Sequence, residues 1–280
     1  MRWEHSLMKL SCLPVSYFPR LMSGEMSLGD WAREGKALGL DAVDISVLFL
    51  KDRDAGYLRG LRRQVEQAGI PLCGASTYPD FTHPDPEERK RQLALLGADL
   101  DALCNLGVRI VRVTAGQAHP GLDTEAGIGL VLAAFEQALP WAQSLGLQLV
   151  FENHSKPSVW RHPDFGFPTD IFLRLAERLR GTDIRIQFDT ANPIAYGDDP
   201  LPILERVIER VEVVHAADTR VSGRLEPAVI GTGLVPFDRV FGRLKESGFA
   251  GWVSIEEASG TGHEGVAAAV DFIRAAWARA

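Results

Sequence analysis

Short apolar runs recur along the chain, and eight of them read as buried strands: LSCLPVSYF, AVDISVLFL, IPLCGASTY, VRIVRVTAG, LQLVFENH, IRIQFDTAN, VEVVHAADT and WVSIEEAS. Between them, apolar residues return at helical spacing. Near the end, Val266, Val270, Ile273 and Trp277 fall 4, 3 and 4 residues apart, on one face of a helix. Strand and helix therefore alternate. Asp85 before Pro86, Glu87 and Glu88 predicts a helix start, with an N-cap, a proline at the first helical position and acids at the positive end of the dipole. Gly39, Gly69, Gly107, Gly146 and Gly248 each follow a helical stretch, where a left-handed C-cap is wanted. No linker, low-complexity tract or composition shift divides the chain. Residues 1–280 are expected to form one domain, with residues 1–8 as a flexible N-terminal extension.

Eight parallel strands with eight crossover helices in roughly 250 residues is the arithmetic of an α/β fold of the single (β/α)8 barrel type, the TIM barrel. A doubly wound open sheet would carry fewer repeats and a glycine-rich first turn, whereas the loop after the first strand is VSYFPRLMSG. Four of the runs end in a residue able to bind a metal: LQLVFE at Glu152, IRIQFD at Asp189, VEVVH at His215 and WVSIE at Glu256. A barrel gathers the carboxyl ends of its strands on one face, so these four would share a cavity. Alternation agrees. If Glu152, Asp189 and Glu256 point inward, so do Val150, Gln187 and Ser254, and the residues between (Phe151, Phe188, Ile255) are apolar and face the helices. Three carboxylates and one imidazole suit a divalent ion, because the carboxylates would repel one another without a cation. One ion per chain is expected, Mn²⁺ first, with Mg²⁺, Zn²⁺ and Co²⁺ as alternatives.

Composition narrows the partners. Of the 280 residues, 46% are hydrophobic and 24% charged, as in a globular protein with its own core, and the net charge of −7 offers no basic field for nucleic acid. The start, MRWEHSLMKL, lacks the basic and apolar regions of a signal peptide, and no apolar run is long enough to span a membrane. Cys12, Cys73 and Cys104 have no CxxC spacing and read as reduced thiols. A cytoplasmic protein without membrane contact is expected, and association into a homo-oligomer stays open.

The segments FENH at 151–154, DTAN at 189–192, HAADTR at 215–220, the IGTG turn at 230–233 and GWVSIEE at 251–257 resemble the xylose isomerase-like TIM-barrel superfamily. The likeness is greatest to its sugar phosphate isomerase/epimerase branch, which includes tagatose and psicose epimerases, hydroxypyruvate isomerases and inosose dehydratases. The resemblance implies that Glu152, Asp189, His215 and Glu256 bind one divalent metal and that Glu152 and Glu256 also move the substrate proton. The chain departs from its relatives in two places. Their HxKD is His215-Ala216-Ala217-Asp218 here, without the lysine, and their GEG turn is Gly231-Thr232-Gly233.

Chemistry at such a site would begin with removal of a proton beside a carbonyl, a slow step that a bound dication assists by stabilising the enediolate. Isomerisation or epimerisation of a polyol, keto-sugar, sugar phosphate or sugar acid through a metal-bound enediolate is therefore expected. An inosose dehydratase-type lyase or a non-catalytic sugar-binding barrel is the alternative. His154, Lys156 and Asn192 follow the ligand positions on the cavity side and are candidates for substrate hydroxyls. Asp218 is placed to orient His215 or bind a hydroxyl, and Arg220 to meet a carboxylate or phosphate. Glu257 has the opposite parity to Glu256 and reads as structural, as does His83; the Gly231–Gly233 turn reads as a tight turn rather than a phosphate loop. A DNA-repair nuclease would need further histidines, and Asn192 stands where one would be expected.

Overall fold

A computed structural model describes residues 8–155 and 157–280, so residues 1–7 of the expected extension lie outside it. Eight parallel strands form the centre: β1 (Lys9–Leu13), β2 (Val43–Ser46), β3 (Leu72–Ser76), β4 (Ile110–Val113), β5 (Gln148–Glu152), β6 (Arg185–Asp189), β7 (Val211–Ala216) and β8 (Trp252–Glu256). They are joined in the order β1-β8-β7-β6-β5-β4-β3-β2. The β1–β8 ladder, with Leu10 opposite Val253 and Leu13 opposite Glu256, rolls the sheet into a nearly closed barrel. Between β1 and β2 no ladder forms; the Asp41 and Ala42 amides donate to the Leu10 carbonyl, and Leu10 N donates to the Asp41 carboxylate. This seam is the barrel's thinnest join.

Ten α-helices surround the sheet among the described residues: α1 (Phe18–Ser23), α2 (Leu28–Ala37), α3 (Ala55–Ala68), α4 (Pro86–Leu106), α5 (Thr124–Ser144), α6 (Thr169–Arg178), α7 (Asn192–Tyr196), α8 (Pro200–Val207), α9 (Phe237–Glu246) and α10 (His263–Arg279). Eight are the expected crossovers; α1 and α7 are short additions after β1 and β6. The caps follow the sequence logic. Asp85 accepts from Glu87 N with Pro86 at the start of α4, and the five glycines expected to close helices all have positive φ. Val266, Val270 and Ile273 bury against the barrel, with Trp277 packed partly buried beside them.

Strand alternation divides the core in two. Outward residues such as Val111, Phe151, Phe188, Val214 and Ile255 are fully buried under the helices in the main apolar cluster. Inward, a small apolar layer of Ala42, Cys73, Ile110, Val150 and Val213 plugs the amino-terminal end of the barrel. Above it lies a polar layer. The buried Asp44 carboxylate accepts from Gly74 N (2.7 Å), from Ser11 Oγ (2.7 Å) and from the Ser254 hydroxyl, tying β2 to β1, β3 and β8. Burial nevertheless pushes the Asp44 carboxyl up.

Candidate metal centre

Above the polar layer, at the carboxyl ends of four neighbouring strands, the side chains of Glu152, Asp189, His215 and Glu256 converge. One ligand atom from each lies within 4.8 Å of all the others. His215 Nδ1 is 2.8 Å from Glu152 Oε1 and 2.6 Å from Glu256 Oε2. Gln187, one turn of the pleat below Asp189, extends its amide beneath them, with Nε2 2.9 Å from Glu152 Oε1. The strand ends are pinned by side chains from the next residues. Asn153 exchanges two hydrogen bonds with the Asp189 backbone, donating to its carbonyl (2.9 Å) and accepting from its amide (2.8 Å). Asp189 Oδ1 accepts from the amides of Ala191 and Asn192 as α7 begins, which leaves Oδ2 for the centre.

The donor set fits a divalent ion. An ion with bonds of about 2.0–2.2 Å separates its ligand atoms by up to about twice that length, comparable with the observed spread. Three carboxylates face one imidazole and the Arg112 guanidinium, whose Nε stands 3.3 Å from Glu152 Oε2 without a hydrogen bond, so the cluster is still short of positive charge. The electrostatics show how the groups share protons. Burial opposes charge on His215, but the Glu152 and Glu256 carboxylates overcome it and raise the imidazole well above its ordinary value. Burial, reinforced by Glu256 and Glu152, pushes Asp189 well up. Glu152 moves the other way: burial would raise it, yet His215 and the Arg112 guanidinium hold its carboxyl well below the usual carboxylate range.

The sequence reading had not singled out Arg112. It lies inward on β4, almost fully buried, with Nε 3.3 Å from Glu152 Oε2 and its guanidinium 4.7 Å from the centre of the Tyr78 ring. Its signal was available, since alternation along VRIVRV places Arg112 on the same side as Ile110 and Thr114. Alternation likewise places Asp44 inward on β2, whereas Asp164 lies in the loop after β5, where no periodicity points to it.

The expected rim residues are placed as follows. His154, Asn192 and Asp218 line a small cavity beside Asp189 and Glu256. His154 Nδ1 lies 3.5 Å from the buried Asp164 carboxylate, and neither atom has a hydrogen-bond partner. Asp218 borders the cavity, but its carboxylate is committed elsewhere: Oδ1 accepts from Thr219 and Val235 amides, Oδ2 from Gly231 and Gly233 amides. Those bonds occupy the Gly231 and Gly233 amides, which are therefore not free to hold a phosphate. Arg220 is exposed and donates from Nε and Nη2 to the Pro227 carbonyl. Lys156 lies outside the described residues. Glu257 is buried facing away from the centre and accepts from Ser259 N (2.8 Å). His83 accepts from Asp85 N at the head of α4, a local role.

Residues 32–276 match the model of the xylose isomerase-like TIM barrel family, and the chain belongs to it. A putative hydroxypyruvate isomerase of Streptomyces coelicolor is 26% identical over 244 residues, covering 83% of this chain and 86% of that protein. An inosose dehydratase of Geobacillus thermodenitrificans is 24% identical over 286 residues, covering 91% of each. Among solved structures, the IOLI protein with a bound zinc atom superposes with a TM-score of 0.77 at 17% identity, over 97% of this chain and 99% of that one. D-Psicose 3-epimerase with D-tagatose, from Clostridium cellulolyticum, gives 0.76 at 16% identity, over 96% and 99%. At such identities the structural likeness concerns the fold. No described helix is long and apolar enough to cross a membrane.

Proposed function

We propose that the protein is a divalent-metal-dependent isomerase or epimerase of a small keto-sugar, polyol, sugar acid or sugar phosphate, moving a proton at a carbon beside a carbonyl. The observation that carries this reading is the convergence of two glutamates, from strands three apart, on one four-residue metal-binding cluster. Glu152, Asp189, His215 and Glu256 would hold the ion, with Mn²⁺ as the preferred occupant; the zinc atom bound in the IOLI structure, which shares the fold, supports a divalent ion. When bound, the ion would supply Lewis-acid stabilisation of charge developing on the substrate's carbonyl oxygen.

The chain's own residues do the rest. Glu256 is a quarter exposed and Glu152 fully buried, so the two carboxylates approach a substrate in the cavity from different depths. One takes the proton and the other returns it. Arg112 stands beside Oε2 of Glu152 as a counter-charge, while Oε1 turns toward His215 and Gln187. His154 and Asn192 on the cavity wall would meet substrate hydroxyls, with Lys156 and Arg220 as candidates for a charged group.

A second reading, elimination of water, is favoured by His154. The residue lines the same cavity while its Nδ1 faces the buried Asp164 carboxylate 3.5 Å away, a pairing suited to a ring that passes a proton to a departing hydroxyl. The inosose dehydratases among the relatives are consistent with it. Incubation of the Mn²⁺ form with keto-sugars, sugar phosphates and inososes in D₂O, followed by NMR, separates the two. Deuterium in an isomer or epimer is the expected result; dehydrated product would move the assignment to a lyase, and no exchange across the panel would overturn both. Glu152→Gln should lower exchange by about a hundredfold or more, the scale of a lost general base. Exchange at the wild-type rate would remove Glu152 from the proton-moving role.

A further inference from the structure

The cavity beside the metal ligands is lined by two unlike sets of residues. From the loops after β5 and β6, His154, Ser155 and Asn192 bring groups that donate and accept hydrogen bonds, next to Asp189 and Glu256. From the loops after β7 and β8 come Ala217, Leu225, Pro227, Ala228 and Ala258. Strand parity accounts for the first of these. His215 points inward, so Ala216 turns to the helices and Ala217 returns to the cavity, where a side chain that ends at Cβ has nothing polar to offer. Leu225 stands at the mouth, 44% exposed.

The backbone of this apolar wall is engaged elsewhere. Thr190 Oγ1 donates to the Ala217 carbonyl (2.7 Å) and accepts from the Ala217 amide (3.2 Å). Arg220 Nη2 donates to the Pro227 carbonyl (2.7 Å), and the Ala228 amide donates to the Asp218 carbonyl (3.1 Å). The Asp218 carboxylate, which borders the same side, already carries four loop amides. A substrate hydroxyl pressed against this wall would give up water and gain no partner, whereas a methyl group would gain from burial there. The space is also short. The cavity measures about 50 Å³, a few times the roughly 10–15 Å³ that admits one water, so it holds a group of a few heavy atoms.

We infer that the substrate is deoxygenated where it meets this wall: an α-hydroxyketone whose chain ends there in a methyl or short alkyl group, with its hydroxyls on the side of His154 and Asn192. The inference rests on the proton-transfer reading and narrows its substrate from fully hydroxylated keto-sugars to terminally deoxy ones. Its test reads binding rather than turnover. The Mn²⁺-loaded protein would be titrated with L-erythrulose and with 4-deoxy-L-erythrulose, which differ only in the hydroxyl on the terminal carbon. Broadening of ligand proton signals by the bound Mn²⁺, with the Zn²⁺ form as diamagnetic reference, reports occupancy at the centre. The deoxy ketone is expected to bind about tenfold or more tightly than L-erythrulose, the scale of one buried hydroxyl left unpaired. Ala217→Ser, which sets a hydroxyl on the wall, should close most of that gap, with Mn²⁺ stoichiometry unchanged as the check on folding. Equal affinities, tighter binding of L-erythrulose, or a preference that Ala217→Ser does not reduce would overturn the inference and leave the proton-transfer reading in place. Broadening of neither ketone at tens of millimolar would remove the metal-chelating reading itself, and this inference with it.

Discussion

Arg112 and Glu152 form an ion pair at the heart of the barrel, with side chains 4% and 0% exposed. Removing one partner of such a pair leaves a buried charge uncompensated and costs about 3–5 kcal/mol. Arg112→Met should destabilise the metal-free protein on that scale in denaturant titrations, and saturating Mn²⁺ should recover much of the loss by supplying a cation. An equal loss with and without metal would show that Arg112 acts through packing alone. The same cluster sets a pH dependence. His215 is raised well above its ordinary value in the metal-free state, so below that raised pKa it holds a proton that a metal must displace. Affinity should therefore climb as pH rises toward the His215 pKa, by up to about tenfold per pH unit for each proton released, and level off above it. Calorimetry in buffers of different ionisation enthalpy counts the protons; zero release would contradict the protonated imidazole. At this scale the sequence revealed the four ligand candidates because each is the polar residue closing an apolar run. Arg112 and Asp44 stay hidden in a search confined to strand ends, because they sit one or two layers inside the barrel, where polar residues need partners that only the closed sheet supplies.

Among the elements, the loop between β7 and α9 departs most from its expected use. Asp218 was expected near substrate or histidine, but it acts as the hub of this loop, with four backbone amides on one carboxylate. The close packing explains the second glycine of the turn. A Cβ at Gly233 would lie 2.5 Å from the Thr219 carbonyl and closer still to the Asp218 carboxylate. Asp218→Ala strands those amides, and a loss of about 2–4 kcal/mol is expected from several unmet buried donors. Hydrogen exchange at Gly231, Gly233 and Val235 should accelerate while metal stoichiometry is kept. Unchanged exchange there would refute the hub. The strands, crossover helices and glycine caps were legible because each follows from local patterning. A loop held by one carboxylate reaching 13 to 17 residues ahead has no periodic signature.

For the molecule as a whole, the ligands come from four different strands, so an ion bound there would link much of the barrel. Metal at about a hundred times its Kd should add about 2.7 kcal/mol of stability, by preferential binding to the folded state. In a chain of this size that is a rise in Tm of roughly 5 °C, reversed by chelator. A Tm indifferent to every divalent ion tried would count against the metal centre. The fold class was readable from eight repeats of strand and helix, and the barrel, rather than an open sheet, from the repeat number, a first loop without a glycine-rich turn and three carboxylates whose parity agreed. A cleft walled by Tyr78, Asp99, Gln117 and Trp160 was not, because its walls come from four separate loops and one helix that only the closed sheet brings together.

The ladder between β1 and β8 carries a kinetic corollary. Those strands come from opposite ends of the described chain, and β1 has no ladder to β2, so β8 is its only strand-to-strand anchor in the sheet. Pairing at such separation bears the largest loop-closure entropy and belongs late in refolding. Glu256 ends β8 opposite Leu13, whereas Glu152, Asp189 and His215 sit on three consecutive strands that can associate earlier. A refolding chain should therefore pass through a species with three ligands that holds Mn²⁺ loosely, and grip the ion only when its two ends meet. Stopped-flow refolding, with the loss of the free Mn²⁺ signal followed by magnetic resonance, would show tight capture in the slowest phase.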